Sequence, residues 1–152
     1  MTNLKLVALL LLVCGAWGRQ APAVFEGSWI ASAGPAAGQK DIFRGRWSGQ
    51  ALPHTHNSAH GSWILLNEKK DIVLQGTWSA RKGTAGWQGT WSAQTLQGRS
   101  ASATWTGTWT ADTADFSGRT LEEMLQHAAE KQIAGSWQSG RMQGNWWLQK
   151  LP

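Results

Sequence analysis

The chain has no tyrosine, a single cysteine and only four prolines in 152 residues, and charged residues make up 15% of it. Each shortage rules something out. With Cys14 alone there is no intramolecular disulfide, so stability must come from a packed core. The apolar run from Leu6 to Val13 is too short for an ordinary membrane-spanning helix, which needs about 20 residues. There is no phosphate-binding glycine loop and no haem-attachment motif, and no nucleophile with an adjacent base and an orienting third group can be assembled. The chain therefore reads as non-catalytic, with no cofactor. Tyrosine is a common strand residue with a polar handle, and its absence suits a dry inner face.

Tryptophan and glycine are abundant instead, with 12 and 18 residues. They fall in a five-residue pattern, apolar-polar-Gly-polar-Trp, that recurs eight times. The copies end at Trp29, Trp47, Trp63, Trp78, Trp91, Trp109, Trp137 and Trp146, each with a glycine two residues earlier. In an extended strand the first, third and fifth residues share one face and the polar pair takes the other. A helix would scatter them, so period two decides for strands, one per copy. Glycine weakens a strand by roughly 0.5–1 kcal/mol relative to alanine, so eight of them need compensation. The expected compensation is space: an indole from the same or the adjacent strand lies over each glycine.

Strands are expected at about 24–32, 41–52, 59–66, 71–81, 86–95, 101–111, 132–138 and 141–149. The inward set adds Trp87 and Trp105 to the eight motif tryptophans. On the fourth strand it comprises Ile72, Leu74, Gly76, Trp78 and Ala80. Trp147 has the opposite parity and should face outward as a candidate surface contact. Between the sixth and seventh strands the pattern changes: Leu121, Met124, Leu125, Ala128 and Ala129 recur at helical spacing, and Thr120 with Glu123 forms a capping box. These residues predict one helix over about 120–131. Short loops favour antiparallel meander pairing, and closure removes the sheet edges. The expected fold is all-β: an eight-stranded antiparallel up-and-down barrel with a Trp/Gly-lined interior and one helix before the seventh strand.

Residues 1–18 read as a secretory leader, with Lys5, the apolar run and Ala16-Trp17-Gly18 as a small-x-small cleavage site. The remainder, 19–152, is one barrel domain, expected in the periplasm or outside the cell. Leu11-Leu12-Val13-Cys14-Gly15 faintly resembles a lipoprotein box, but valine suits the position before the cysteine poorly. The net charge of +5 is spread along the chain, so no nucleic-acid footprint stands out.

Leu74-Gln75-Gly76-Thr77-Trp78-Ser79 and Ala103-Thr104-Trp105-Thr106-Gly107-Thr108-Trp109 resemble strand motifs of avidin-like barrels. The Gly-x-Trp element also resembles the lipocalin signature. This resemblance implies a calycin-like barrel with room for a small ligand at its mouth. Avidin-like biotin sites combine tyrosine and asparagine groups with tryptophan walls. The lack of tyrosine here argues against biotin, and the helix before the seventh strand is outside that pattern.

Two functions remain open on this sequence. Either Trp29, Trp47, Trp63, Trp78, Trp91, Trp109, Trp137 and Trp146 line a site for a small apolar or aromatic ligand. Or they plug the core of a structural or accessory subunit in a larger envelope complex, since an eight-stranded barrel is only just wide enough for side chains to fill. Peripheral membrane association stays open with either. His54, His56 and His60 are the only metal-like cluster, but they lack an acid or thiol to complete a site and read as solvated loop residues. An outer-membrane barrel would turn the faces inside out, with the apolar set towards lipid.

Overall fold

The alternating pattern becomes strand at all eight copies of the motif. The computed structural model describes residues 22–34, 41–53, 55, 57–84, 86–96, 103–112, 120–130 and 133–149. The strands are β1 (Val24–Ala33), β2 (Asp41–Ala51), β3 (Ser58–Leu66), β4 (Ile72–Gly83), β5 (Gly86–Thr95), β6 (Thr104–Ala111), β7 (Ile133–Ser139) and β8 (Met142–Gln149), with α1 (Leu121–Glu130) between β6 and β7. They pair in chain order and antiparallel, and β8 returns to β1 to close the barrel. The proposed leader lies outside the described residues, as do His54 and His56.

Register makes the hairpin, rather than the single strand, the structural repeat. In β1–β2, Trp29 pairs with Gly45 and Gly27 with Trp47. The same reciprocal exchange occurs in β3–β4 (Trp63 with Gly76, Gly61 with Trp78), β5–β6 (Trp91 with Gly107, Gly89 with Trp109) and β7–β8 (Trp137 with Gly144, Gly135 with Trp146). A Gly-x-Trp run read upward on one strand and downward on the next sets each indole level with a partner glycine. The four hairpins are therefore four copies of one packing unit.

Odd strands run from the end that carries α1 to the other end, and even strands run back. The helix closes its end. Met124 and Leu125 are buried against Trp47, Ala59, Ala80, Trp87 and Ile133, and α1 packs on β1, β2 and β8. Ala129 is half-buried, and the side chains of Leu121 and Ala128 lie outside the described set. The capping box forms as the sequence suggests: the Glu123 carboxylate accepts from the Thr120 backbone N–H at 2.7 Å, and Thr120 Oγ1 accepts from the Glu123 N–H at 3.2 Å. Thr120→Ala should cost about 1 kcal/mol of unfolding free energy in a urea titration followed by circular dichroism. A change near zero would mean that packing alone holds the helix in place.

The outward face is lined with paired hydroxyls. Ser48 meets Ser62 at 2.9 Å, Thr77 meets Ser92 at 2.9 Å, Ser79 meets Thr90 at 2.8 Å and Thr110 meets Ser136 at 2.9 Å. Hydroxyls outside and indoles inside are the reverse of a lipid-facing barrel. One expected inward residue does not stay inward. Leu65 pairs with Leu74 but Leu66 pairs with Ile72, so Val73 is an extra residue on β4. This bulge puts Ile72 on the face of Leu66, which is the outer one, and leaves it 44% exposed.

Candidate ligand-binding lumen

The site is built from a unit that spans three strands. An indole on one strand lies over the glycine of its hairpin partner and reaches a backbone carbonyl on the strand beyond. Trp29 on β1 covers Gly45 on β2, and its Nε1 donates to the Ile64 carbonyl on β3 at 3.1 Å. Trp78 on β4 covers Gly61 on β3 and donates to the Ser48 carbonyl on β2 at 3.0 Å. Trp109 donates to Ser79 and Trp137 to Ser32, each at 3.0 Å, over Gly89 and Gly144. A Cβ on Gly45 would stand 2.5 Å from Trp29 Nε1, and one on Gly61 would stand 2.5 Å from Trp78 Nε1, so only glycine fits. Trp146 covers Gly135 but donates to the nearer Ser136 carbonyl at 3.0 Å.

These bonds hold five of the eight rings flat on the wall, and Trp47, Trp63 and Trp91 lie over Gly27, Gly76 and Gly107 in the same way. Odd-strand tryptophans form one layer near the open end, and even-strand tryptophans form a second layer near the helix. Within the first layer Trp29–Trp63, Trp63–Trp91 and Trp91–Trp137 are edge-to-face at 5.7, 6.3 and 5.9 Å, with interplanar angles of 88°, 75° and 79°. Within the second, Trp47–Trp78, Trp78–Trp109 and Trp109–Trp146 stand at 6.4, 6.4 and 5.8 Å, with angles of 67°, 78° and 87°. Neighbours in a layer are two strands apart, a quarter of an eight-stranded circle. Rings lying on the wall must then meet at close to a right angle, as they do.

Flat rings leave the axis empty. A cavity of about 370 Å³ runs along it, lined by all eight motif tryptophans. Met124, Leu125 and Ile133 form its floor, and Phe43, Leu65, Leu74, Trp105 and Met142 form its mouth. Among the described lining residues only Ser139 is polar, and its hydroxyl is bonded to the Thr106 carbonyl at 2.6 Å. The Nε1 atoms of Trp47 and Trp91 are buried without an acceptor, but they lie against Gly27 and Gly107 in the wall and offer the lumen no donor. Trp105 sits at the rim, 43% exposed, while Trp87 lies beneath the helix, 1% exposed and outside the cavity. Sequence parity put Trp87 and Trp105 in the same inward class; only their heights on the strands separate them.

No family model, curated protein or solved structure matches this chain.

The other sequence candidates lie elsewhere. Trp147 faces outward, half-buried between its strand partners Ile30 and Ala134. His60 is on the outer face, where its Nε2 meets the Gln50 amide at 2.9 Å. No trio of metal-ligating side chains gathers among the described residues. Asp41, an inward-parity acid, is exposed at the rim. A second hollow of about 450 Å³ lies outside the barrel over β6–β8, where β1 leaves the ladder after Ala31; Thr108, Thr110, Ser136, Gln138 and Asn145 give it a water-facing lining.

Proposed function

We propose that this protein is an exported, non-catalytic barrel that holds a small apolar or aromatic ligand in its indole-lined lumen. What carries the reading is an apolar cavity of about 370 Å³ that, among the described residues, is floored by α1 at one end and open at the other. Ligand pockets fall at roughly 300–1,000 Å³ and are mostly apolar. The described lining has no acid, base or thiol, so binding rather than turnover is the chemistry it supports. The leader-like residues 1–18 support export. A likeness to calycin-type barrels is a proposal on the same footing, supported by the closed eight-stranded antiparallel topology.

The test is a titration of the mature protein with N-phenyl-1-naphthylamine, an apolar aromatic fluorophore. Saturable uptake with energy transfer from tryptophan is expected, together with reduced acrylamide quenching of the indoles. Stabilisation should obey mass action, about 2.7 kcal/mol at one hundred times Kd. Indoles that resist quenching from the start, with no thermal shift across a panel of apolar compounds, would leave the accessory-subunit reading in its place. One observation favours that second reading: Ile42, Ile72 and Met142 are exposed at the open end by 55%, 44% and 57%, an apolar rim suited to a partner.

A further inference from the structure

The lumen's cross-section, floor and rim together specify more than an apolar ligand, provided that the lumen is the binding site, as proposed. Neighbouring ring centroids along three sides of each layer are 5.7–6.4 Å apart, with ring planes close to perpendicular. Opposed rings are √2 times further apart, about 8–9 Å, which places the axis about 4–4.5 Å from every ring plane, close to carbon–carbon contact at 3.5–4.0 Å. One file of methylene groups touches opposed rings in both layers. A second chain beside it does not fit, and neither does the thicker four-ring skeleton of a sterol. At roughly 30 Å³ per water-sized group, 370 Å³ takes about a dozen such groups.

The helix blocks the far end, so any polar head must stay at the mouth. That end is basic. Among the described residues, exposed Lys69, Lys70 and Arg141 lie in its turns and Arg44 and Arg46 on the outer wall of β2 below it, against Asp41, Glu68 and Asp71, and Asp71 is engaged with Asn67 in the β3–β4 turn. Arg141 occupies the β7–β8 turn between Ser139 and Met142, which both line the cavity. The helix-bearing half carries Glu26, Asp112, Glu122, Glu123 and Glu130 against Arg81 and Lys82 among the described residues. We infer that the ligand is a single-chain amphiphile, with an unbranched hydrocarbon tail of about a dozen carbons in the lumen and an anionic head, carboxylate or phosphate, at the basic rim.

Three probes with one tail and different heads test this on the mature chain: dodecanoate, dodecan-1-ol and dodecyltrimethylammonium, each titrated below its micelle concentration by displacement of N-phenyl-1-naphthylamine. Dodecanoate should bind about two- to fivefold tighter than the alcohol at low salt, the size of an exposed charge contact, with the cation weakest. The advantage should vanish in high salt, and Arg44→Glu with Arg141→Glu should reverse the order. A lysophosphatidylglycerol with a twelve-carbon chain separates the sources: binding as tight as dodecanoate supports a lipid head, weaker binding a free fatty acid. Equal affinity for all three heads at every salt concentration overturns the anionic head while leaving the lumen reading intact. A sterol or a two-chain lipid bound as tightly overturns the single-file tail. Failure of the fluorophore itself to bind is failure of the lumen, a separate outcome.

Discussion

Gly76→Ala should lower the unfolding free energy by about 2–4 kcal/mol, a large loss for one methyl group, because the site is filled from two sides. The new Cβ would stand 2.5 Å from the Trp63 ring and closer still to the Ser92 carbonyl. A ring can shift, but the carbonyl belongs to the β5 backbone and can move only if the strand moves. Trp63→Phe should therefore fail to rescue Gly76→Ala. On the opposite face of the same strand, Thr77→Val should cost only the hydroxyl contact with Ser92, within about 0.5–1 kcal/mol. Urea denaturation of the three variants, followed by far-ultraviolet circular dichroism, decides the matter. Equal losses at Gly76 and Thr77 would mean the two faces are assigned wrongly, and rescue by Trp63→Phe would place the conflict in the ring alone.

Trp78→Ala is expected to cost about 3–4 kcal/mol, towards the lower part of the range for a core tryptophan because one face of the ring borders the lumen. The indole lies against two glycines, Gly49 and Gly61, meets Trp47 and Trp109 edge to face, and donates to the Ser48 carbonyl. Trp78→Phe keeps a ring but leaves that carbonyl without its donor, and should cost about 1–2 kcal/mol. Trp105→Ala, at the rim and 43% exposed, should cost less than either while still weakening ligand uptake at the mouth. If Trp78→Ala and Trp105→Ala were equally mild, the indoles would be decoration on a barrel held by its backbone ladders alone. Chemical denaturation read by circular dichroism keeps the comparison independent of the tryptophan signal being changed.

Much of the fold is legible in the chain alone. Period two in Gly-x-Trp places eight strands close to where they occur, because alternation is a local property of backbone geometry. The capping box Thr120–Glu123 and the helix behind it are equally local. Closure into a barrel is implied by short connections and one apolar face. The bulge at Val73 is not legible. Nothing in Ile72-Val73-Leu74 distinguishes a strand that keeps its register from one that slips by a residue, and only the pairing with Leu65 and Leu66 turns Ile72 outward.

Whether eight indoles fill the barrel or line it could not be settled by the chain alone. Composition supplies the volume of the rings, but their orientation depends on partners far away in sequence. Trp29 lies flat because Gly45 leaves it room and the Ile64 carbonyl, 35 residues on, holds its N–H. Trp137 lies flat because the Ser32 carbonyl, 105 residues back, does the same. Each ring turned onto the wall opens the axis by its own thickness, and two layers of such rings make a cavity. The basic end has the same origin: Arg44, Lys69, Lys70 and Arg141 are scattered along the chain and share one end only because even strands all begin there. Sequence alternation determined the strands and, outside the bulge at Val73, which face each residue takes; the circular order of the hairpins, which no local pattern encodes, decided that the tryptophan core is hollow.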